Sequence, residues 1–218
     1  MKSLNKNDWF IPAMLITLCL FTLVNGLFRL FGLASGMEVT PDNIRFIETP
    51  MPVVLHILGS TTFIVLGAFQ FTRSIRLRWP KFHRKASVVL VPNGCIAALT
   101  GLWMSHFYAL PEIDGELLYA FRMFFGSLML LSIIMGVIAI QRRNIVQHQA
   151  WMMRGYALGA AAGTQLFTHI PWILVVGMPD ELPRALLMGA GWVINLVVVE
   201  LLLLKKRKHI TDHQVYVG

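Results

Sequence analysis

Three histidines, His56, His106 and His169, each lie inside an apolar stretch long enough to cross a bilayer, near the same end of it. An ionisable side chain in lipid is costly, so its presence points to function. Neutral imidazole is an axial ligand for haem iron and a common ligand for zinc and copper. Three imidazoles at one depth on three spans therefore suggest a ligand set. His106 and His169 would be the axial pair of a single b-type haem, and His56 would join them if the site held a transition metal such as zinc or copper. Gln165, one helical turn before His169, would line the pocket. Arg122 and Arg29 sit at the same level and would meet an anion such as a haem propionate or a lipid phosphate. The competing reading is interfacial. His56 lies close to Pro50 and Pro52, and His106 just before Leu110-Pro111, where a ring reaches water. Arg122 and Arg29 could snorkel to the surface in the same way. His169 lies deeper, with Ile173 to Gly177 still to cross.

The elements that must position these residues are membrane helices. The 218 residues are 56% hydrophobic and 14% charged, well short of the roughly 25% charge of soluble domains. The apolar residues fall in six runs, at about 10–33, 52–71, 87–109, 117–140, 153–177 and 184–204. Each is about 20 residues or more, the length that crosses a hydrocarbon core of about 30 Å. The expected fold is all-α: a single polytopic membrane bundle over 1–218, with spans two to five as a four-helix core and spans one and six as flanks. The first run is too long for the core of a signal peptide and reads as an uncleaved span. Cys19 and Cys95 both fall within spans, which suggests core thiols rather than a disulfide.

Charge sets the expected orientation. Lys2 and Lys6, then Arg73, Arg76, Arg78, Lys81, Arg84 and Lys85, then Arg142, Arg143 and Arg154, then Lys205, Lys206, Arg207 and Lys208 make fifteen of the nineteen Lys and Arg. All fall on one side of a six-span path, while the alternate loops carry Glu38, Asp42, Glu48, Glu112, Asp114, Glu116, Asp180 and Glu181. The positive-inside rule makes the basic side cytoplasmic, with both termini there. The net charge of +8 then needs no nucleic-acid partner, because contact with anionic lipid headgroups accounts for it. Glu200, near the basic end of span six, is expected to pair with the Lys205–Lys208 cluster.

A faint repeat relates the two halves of the core. His56 precedes Gly59-Ser60 as Arg122 precedes Gly126-Ser127, and the intervals from His56 to His83 and from Arg122 to His148 are 27 and 26 residues. Two hairpins of equal orientation would set spans three and five face to face and bring His106 and His169 together. His83 and His106 are 23 residues apart, about 34 Å along a helix, so those two levels belong to opposite surfaces. In the fifth span Gly155, Gly159 and Gly163 make a stripe that admits another helix closely, or clears room for a flat cofactor. Pro171 and Pro92 should disturb spans five and three at places buried in protein.

His56-x-x-Gly59, His83-Arg84, and the block Arg142-Arg143 … His148 … Trp151-Met152-x-Arg154 together resemble a bacterial family of predicted membrane proteins, domain of unknown function 2306. The resemblance covers roughly residues 52–175, and the Arg142–Arg154 block is its most specific part. It implies a bacterial inner-membrane protein and no particular activity or substrate. The histidine-bearing core is also loosely similar to b-type membrane cytochromes, but the paired ligands that hold two haems within one span spacing are missing. Phosphate-binding glycine loops, Cys-x-x-Cys, His-Glu-x-x-His and Gly-x-Ser-x-Gly are absent from the chain. Three functions stay open: a haem- or metal-binding redox protein, a transporter or lipid-binding protein using Arg122 and Arg29, and a non-catalytic partner or assembly factor for another membrane protein. Whether it is an enzyme is undecided at this level.

Overall fold

The computed structural model describes residues 6–215, with side chains described for 9–72 and 75–206. Lys2, Lys6, Arg73, Arg207 and Lys208 of the charge pattern lie outside the described side chains. The described chain is helical throughout: α1 Lys6–Ser35, α2 Ile44–Glu48, α3 Pro50–Gln70, α4 Arg73–Arg78, α5 Pro80–Phe107, α6 Gly115–Gln141, α7 Ile145–Gly159, α8 Ala161–Val175 and α9 Glu181–Val215, with a 3-10 turn at Glu112–Asp114. Five of these, α1, α3, α5, α6 and α9, are long and apolar enough to cross a membrane. The stretch expected as the fifth span folds instead as two helices of 15 residues each, α7 and α8, separated at Ala160, and neither is among the five.

Local chemistry explains the boundaries. Pro50 and Pro80 stand in the first turns of α3 and α5, where a missing N–H costs nothing. Glycines in the left-handed region at Gly36 and Gly177 close α1 and α8. At the end of α6 the same conformation falls on Arg143, φ 59°, and the Asn144 N–H reaches back to Ala139 O at 2.9 Å. Asn144 then caps α7, its Oδ1 accepting from Gln147 N at 3.0 Å.

Pro92 and Pro171, expected to break their spans, lie inside continuous helices, as does Pro12 in α1. The break falls at Ala160 instead. Two carbonyls beside it accept from neighbouring helices: Asn195 Nδ2 donates to Ala157 O at 2.9 Å, and the Cys19 thiol to Ala160 O at 3.7 Å, which also accepts from Gly163 N at 3.1 Å. Such substitution by neighbours is what makes an interrupted helix tolerable away from water.

The packing departs from the expected four-helix core. α3 packs on α5 and α6 on α7, so both helix hairpins form. Yet α5 lies against α3 and α6, and has no extended contact with α7 or α8. Spans three and five therefore do not face each other. The expected flanks are not peripheral either: α9 packs against α6, α7 and α8, and α1 against α3 and α8. One core joins Cys19 of α1, Phe63 of α3, Leu90 of α5, Ile133 of α6 and Tyr156 of α7, with Trp192 of α9 packed against it. Large apolar side chains such as Phe28, Phe31, Leu174 and Val175 are exposed, as on a surface solvated by lipid rather than water.

A cavity beneath an arginine cluster

The loops of one end are bonded to one another. Tyr108 Oη donates to Thr49 O at 2.7 Å, Arg45 to Ala109 O at 3.2 Å, and Arg184 Nε to Asp114 Oδ1 at 2.7 Å. These are the acidic loops of the sequence pattern. Beneath them the helices line a half-open cavity of about 520 Å³, within the range of small-molecule and cofactor sites. Its walls come from α1, α3, α5, α6, α7, α8 and α9, and Arg45 and Phe46 of α2 border it.

The lining is apolar with a few polar groups. Phe63, Phe125, Met129 and Trp192 provide the apolar wall; His56, Ser60, Thr61 and Gln165 form a neutral polar belt; Arg45, Arg122, Arg184 and Asp114 stand towards the bonded loops. His56 is fixed by a 2.9 Å bond from Nδ1 to Ala97 O. A carbonyl can only accept, so Nδ1 carries the proton and the neutral ring keeps its Nε2 lone pair. Gly101 makes room for this ring, since a Cβ there would stand 3.2 Å from His56 Cε1. Gln165 is buried, its Nε2 donating to Met188 O at 3.1 Å, and Gly191 of α9 accommodates its side chain. Thr164 and Thr168 also bond across to α9, through Asn195 Oδ1 at 2.7 Å and Leu187 O at 2.8 Å. That polar seam turns Gln165 towards the bundle.

Asp114 holds two cations. Its carboxylate, 4% exposed, meets Arg122 at 2.8 Å through Oδ2 and Arg184 at 2.7 Å through Oδ1. Arg122 therefore has a protein counter-ion and does not simply snorkel. Arg29 and Arg45 behave otherwise: their guanidinium carbons lie 4.1 and 4.7 Å from the centre of the Phe46 ring. Among the described residues neither is in an ion pair.

Of the residues singled out from sequence, His56, Gln165 and Arg122 line the cavity; His106 and His169 do not. His106 is exposed on α5 and its Nδ1 meets Tyr119 Oη at 2.9 Å. His169 turns Nδ1 to Gln165 O of its own helix at 2.7 Å. Among the described residues no group of three or more His, Cys, Asp and Glu is arranged to hold a metal ion, so the three histidines do not form one cluster. The residues missed are Asp114, Arg184, Arg45, Ser60 and Thr61. A signal for two of them, Arg45 and Arg184, was present: Arg29, Arg45, Arg122 and Arg184 are the only Lys or Arg outside the fifteen on the basic side.

Residues 53–203 match the family described as "Predicted membrane protein (DUF2306)". The chain belongs to DUF2306. No curated protein and no solved structure matches. In this DUF2306 chain the Arg142–Arg154 block is a hairpin fixture. His148 Nδ1 donates to Gly136 O at 2.8 Å, and Met152 fills the space over Gly136, where a Cβ would stand 2.7 Å from its sulfur. Arg154 makes a two-point pair with Glu200 at 2.5 and 3.0 Å and lies 4.8 Å from the Trp151 ring centre. Glu200 was expected to pair with the Lys205–Lys208 cluster, of which Arg207 and Lys208 lie outside the described side chains. Among the described residues Arg154 pairs with it, because the α7–α9 contact brings a forked donor to the carboxylate. Lys206 instead bonds Gln149 of α7.

Proposed function

We propose that this DUF2306 protein is a six-span protein of the bacterial inner membrane, both termini cytoplasmic, whose cavity binds a small amphiphilic molecule from the extracytoplasmic side. The interrupted α7–α8 counts as the fifth span, and the positive-inside rule puts the acidic loops outside. One observation carries the binding reading: a cavity of about 520 Å³ with an apolar wall, a neutral polar belt and a charged rim, all within one bundle. That gradation suits a ligand with an apolar body and a polar head. The function is binding, for transfer, presentation or sensing of that molecule.

The test is native mass spectrometry of the full chain released from detergent or nanodiscs. Wild type should carry, or take up saturably, an amphiphile that Ser60→Trp, which fills the cavity, excludes. Ser60 suits this because, among the described residues, its hydroxyl bonds only Ile57 O of its own helix. Saturable uptake by a folded Ser60→Trp chain equal to wild type would place the ligand elsewhere.

A cofactor reading rests on His56 rather than on His106 and His169, which do not line the cavity. A ligating histidine characteristically donates its other N–H to a carbonyl, as His56 does to Ala97. With Arg122 for a propionate, the cavity would offer a haem b one axial imidazole, and the same nitrogen suits a transition metal. Protein prepared with haem supplied should then show an absorption band that His56→Ala removes and His106→Ala leaves. A colourless, metal-free protein would dispose of this reading without touching the amphiphile.

A further inference from the structure

The positive-inside pattern leaves four arginines on the acidic side, Arg29, Arg45, Arg122 and Arg184. They are not scattered. Arg29 and Arg45 share the Phe46 ring, and Arg122 and Arg184 share Asp114. Three of the four, Arg45, Arg122 and Arg184, line the cavity, against one lining carboxylate, that of Asp114. The wall thus carries three positive charges to one negative, on the side where topology calls for no positive charge. Structural pairing uses up only one of the three. Arg45 in particular spends its guanidinium on a carbonyl and a ring, neither of which neutralises it.

We propose that the rim of this cavity selects an anionic headgroup, a carboxylate or phosphate carried on an apolar chain, with Arg45 as the principal binding cation and the Asp114-held Arg122 and Arg184 completing the site. This rests on the cavity being the ligand site. The Phe46 ring holds Arg45 in place without satisfying its donors; Nη1 gives one to Ala109 O, and the others are left for a forked contact with an oxyanion. Asp114 keeps the other two guanidiniums apart from each other and fixed before a ligand arrives, so the site costs little ordering on binding.

The probes are dodecyl phosphate, laurate, methyl laurate and inorganic phosphate, titrated into the full-length protein in zwitterionic nanodiscs, with binding taken as the excess over empty nanodiscs. Dodecyl phosphate and ionised laurate should bind, and methyl laurate at least about tenfold more weakly, the scale of one charge-assisted contact. Arg45→Gln should bring the two anions down towards the ester and leave the ester unchanged, with an unaltered melting temperature. Equal binding of ester and acid would overturn the anion selectivity and leave the cavity reading standing. Inorganic phosphate binding as tightly as dodecyl phosphate would also overturn it, by making the chain irrelevant. No excess binding by any chained probe would remove the cavity reading itself.

Discussion

Asp114 is where the acidic-loop end is most vulnerable to a single change. Its carboxylate, 4% exposed, is the shared counter-ion of Arg122 on α6 and Arg184 on α9. Asp114→Asn keeps the shape and leaves two guanidiniums facing each other. Loss of one partner of a fully buried pair costs about 3–5 kcal/mol, but the arginine side chains here are 19% and 31% exposed, so about 2 kcal/mol is expected. Reversible unfolding in mixed micelles would read it. Arg122→Gln should cost visibly less, because Asp114 keeps Arg184; equal losses would mean the carboxylate does not serve both. Arg143 gives the opposite sign. A side chain at φ 59° is strained, and Arg143→Gly should stabilise the hairpin by about 0.5–1 kcal/mol. A loss instead would assign the guanidinium a contact worth more than the strain. At this scale the sequence was half legible. Type and depth flagged His56, Gln165 and Arg122, but which side chain meets which depends on helix rotation, and His106 and His169 face their own neighbours, Tyr119 and the Gln165 carbonyl.

Helices were legible as elements, their interruption was not. Hydropathy located the long spans, while the starts at Pro50 and Pro80, two and seven residues ahead of the apolar runs, follow from proline's fit to a first helical turn. The break at Ala160 has no proline; what marks it is tertiary, side-chain donors from Asn195 and Cys19 on neighbouring helices meeting the carbonyls beside it. It also divides the glycine stripe. Gly155 and Gly159 face α6 and α3 side chains, a Cβ meeting Ile133 at 3.2 Å in the first case and Met129 and Phe63 at 3.1 Å in the second. Past the break Gly163 faces α1, where a Cβ would fall 2.8 Å from the Leu18 carbonyl carbon and closer still to its oxygen. Side chains can yield by a few tenths of an ångström, a helix backbone cannot. Gly163→Ala should therefore cost about 1–3 kcal/mol and displace α1, whereas Gly155→Ala should cost clearly less. Crosslinking between α1 and α8 would report the displacement. Gly159→Leu, which adds a whole branched chain against Phe63, belongs with the damaging set. Equal melting of the Gly163 and Gly155 variants would show that α1 is not held through that glycine.

For the whole molecule, the apolar exterior, the family match over residues 53–203 and five helices of spanning length agree on a membrane protein. Pairwise helix contacts were not readable, because a pseudo-repeat fixes orientation and says nothing of which hairpin faces α1 and α9 occupy. The remaining question at this scale is the path of the chain through the bilayer. If α7–α8 crosses as one interrupted span, α6 and α9 are antiparallel to it and the ends of the chain share a side. If the break makes it re-entrant, α9 would begin on the opposite side. Asp114 is a poor labelling site because it is buried between two arginines, so Glu112, exposed on the same turn, is preferred, with Lys206 exposed on α9 as the second site. In a chain with Cys19 and Cys95 replaced by Ser, a cysteine at Glu112 should react with an impermeant thiol reagent added outside intact cells. One at Lys206 should react only after the membrane is opened. Reaction of both from outside would make α7–α8 re-entrant and reduce the bundle to five crossings. The cavity as described would not survive that outcome, since Arg184 at the start of α9 bonds Asp114 ahead of α6 and both line it. The inward-facing arginines would not keep their significance, because the charge rule that makes Arg45, Arg122 and Arg184 exceptional depends on the six-crossing path.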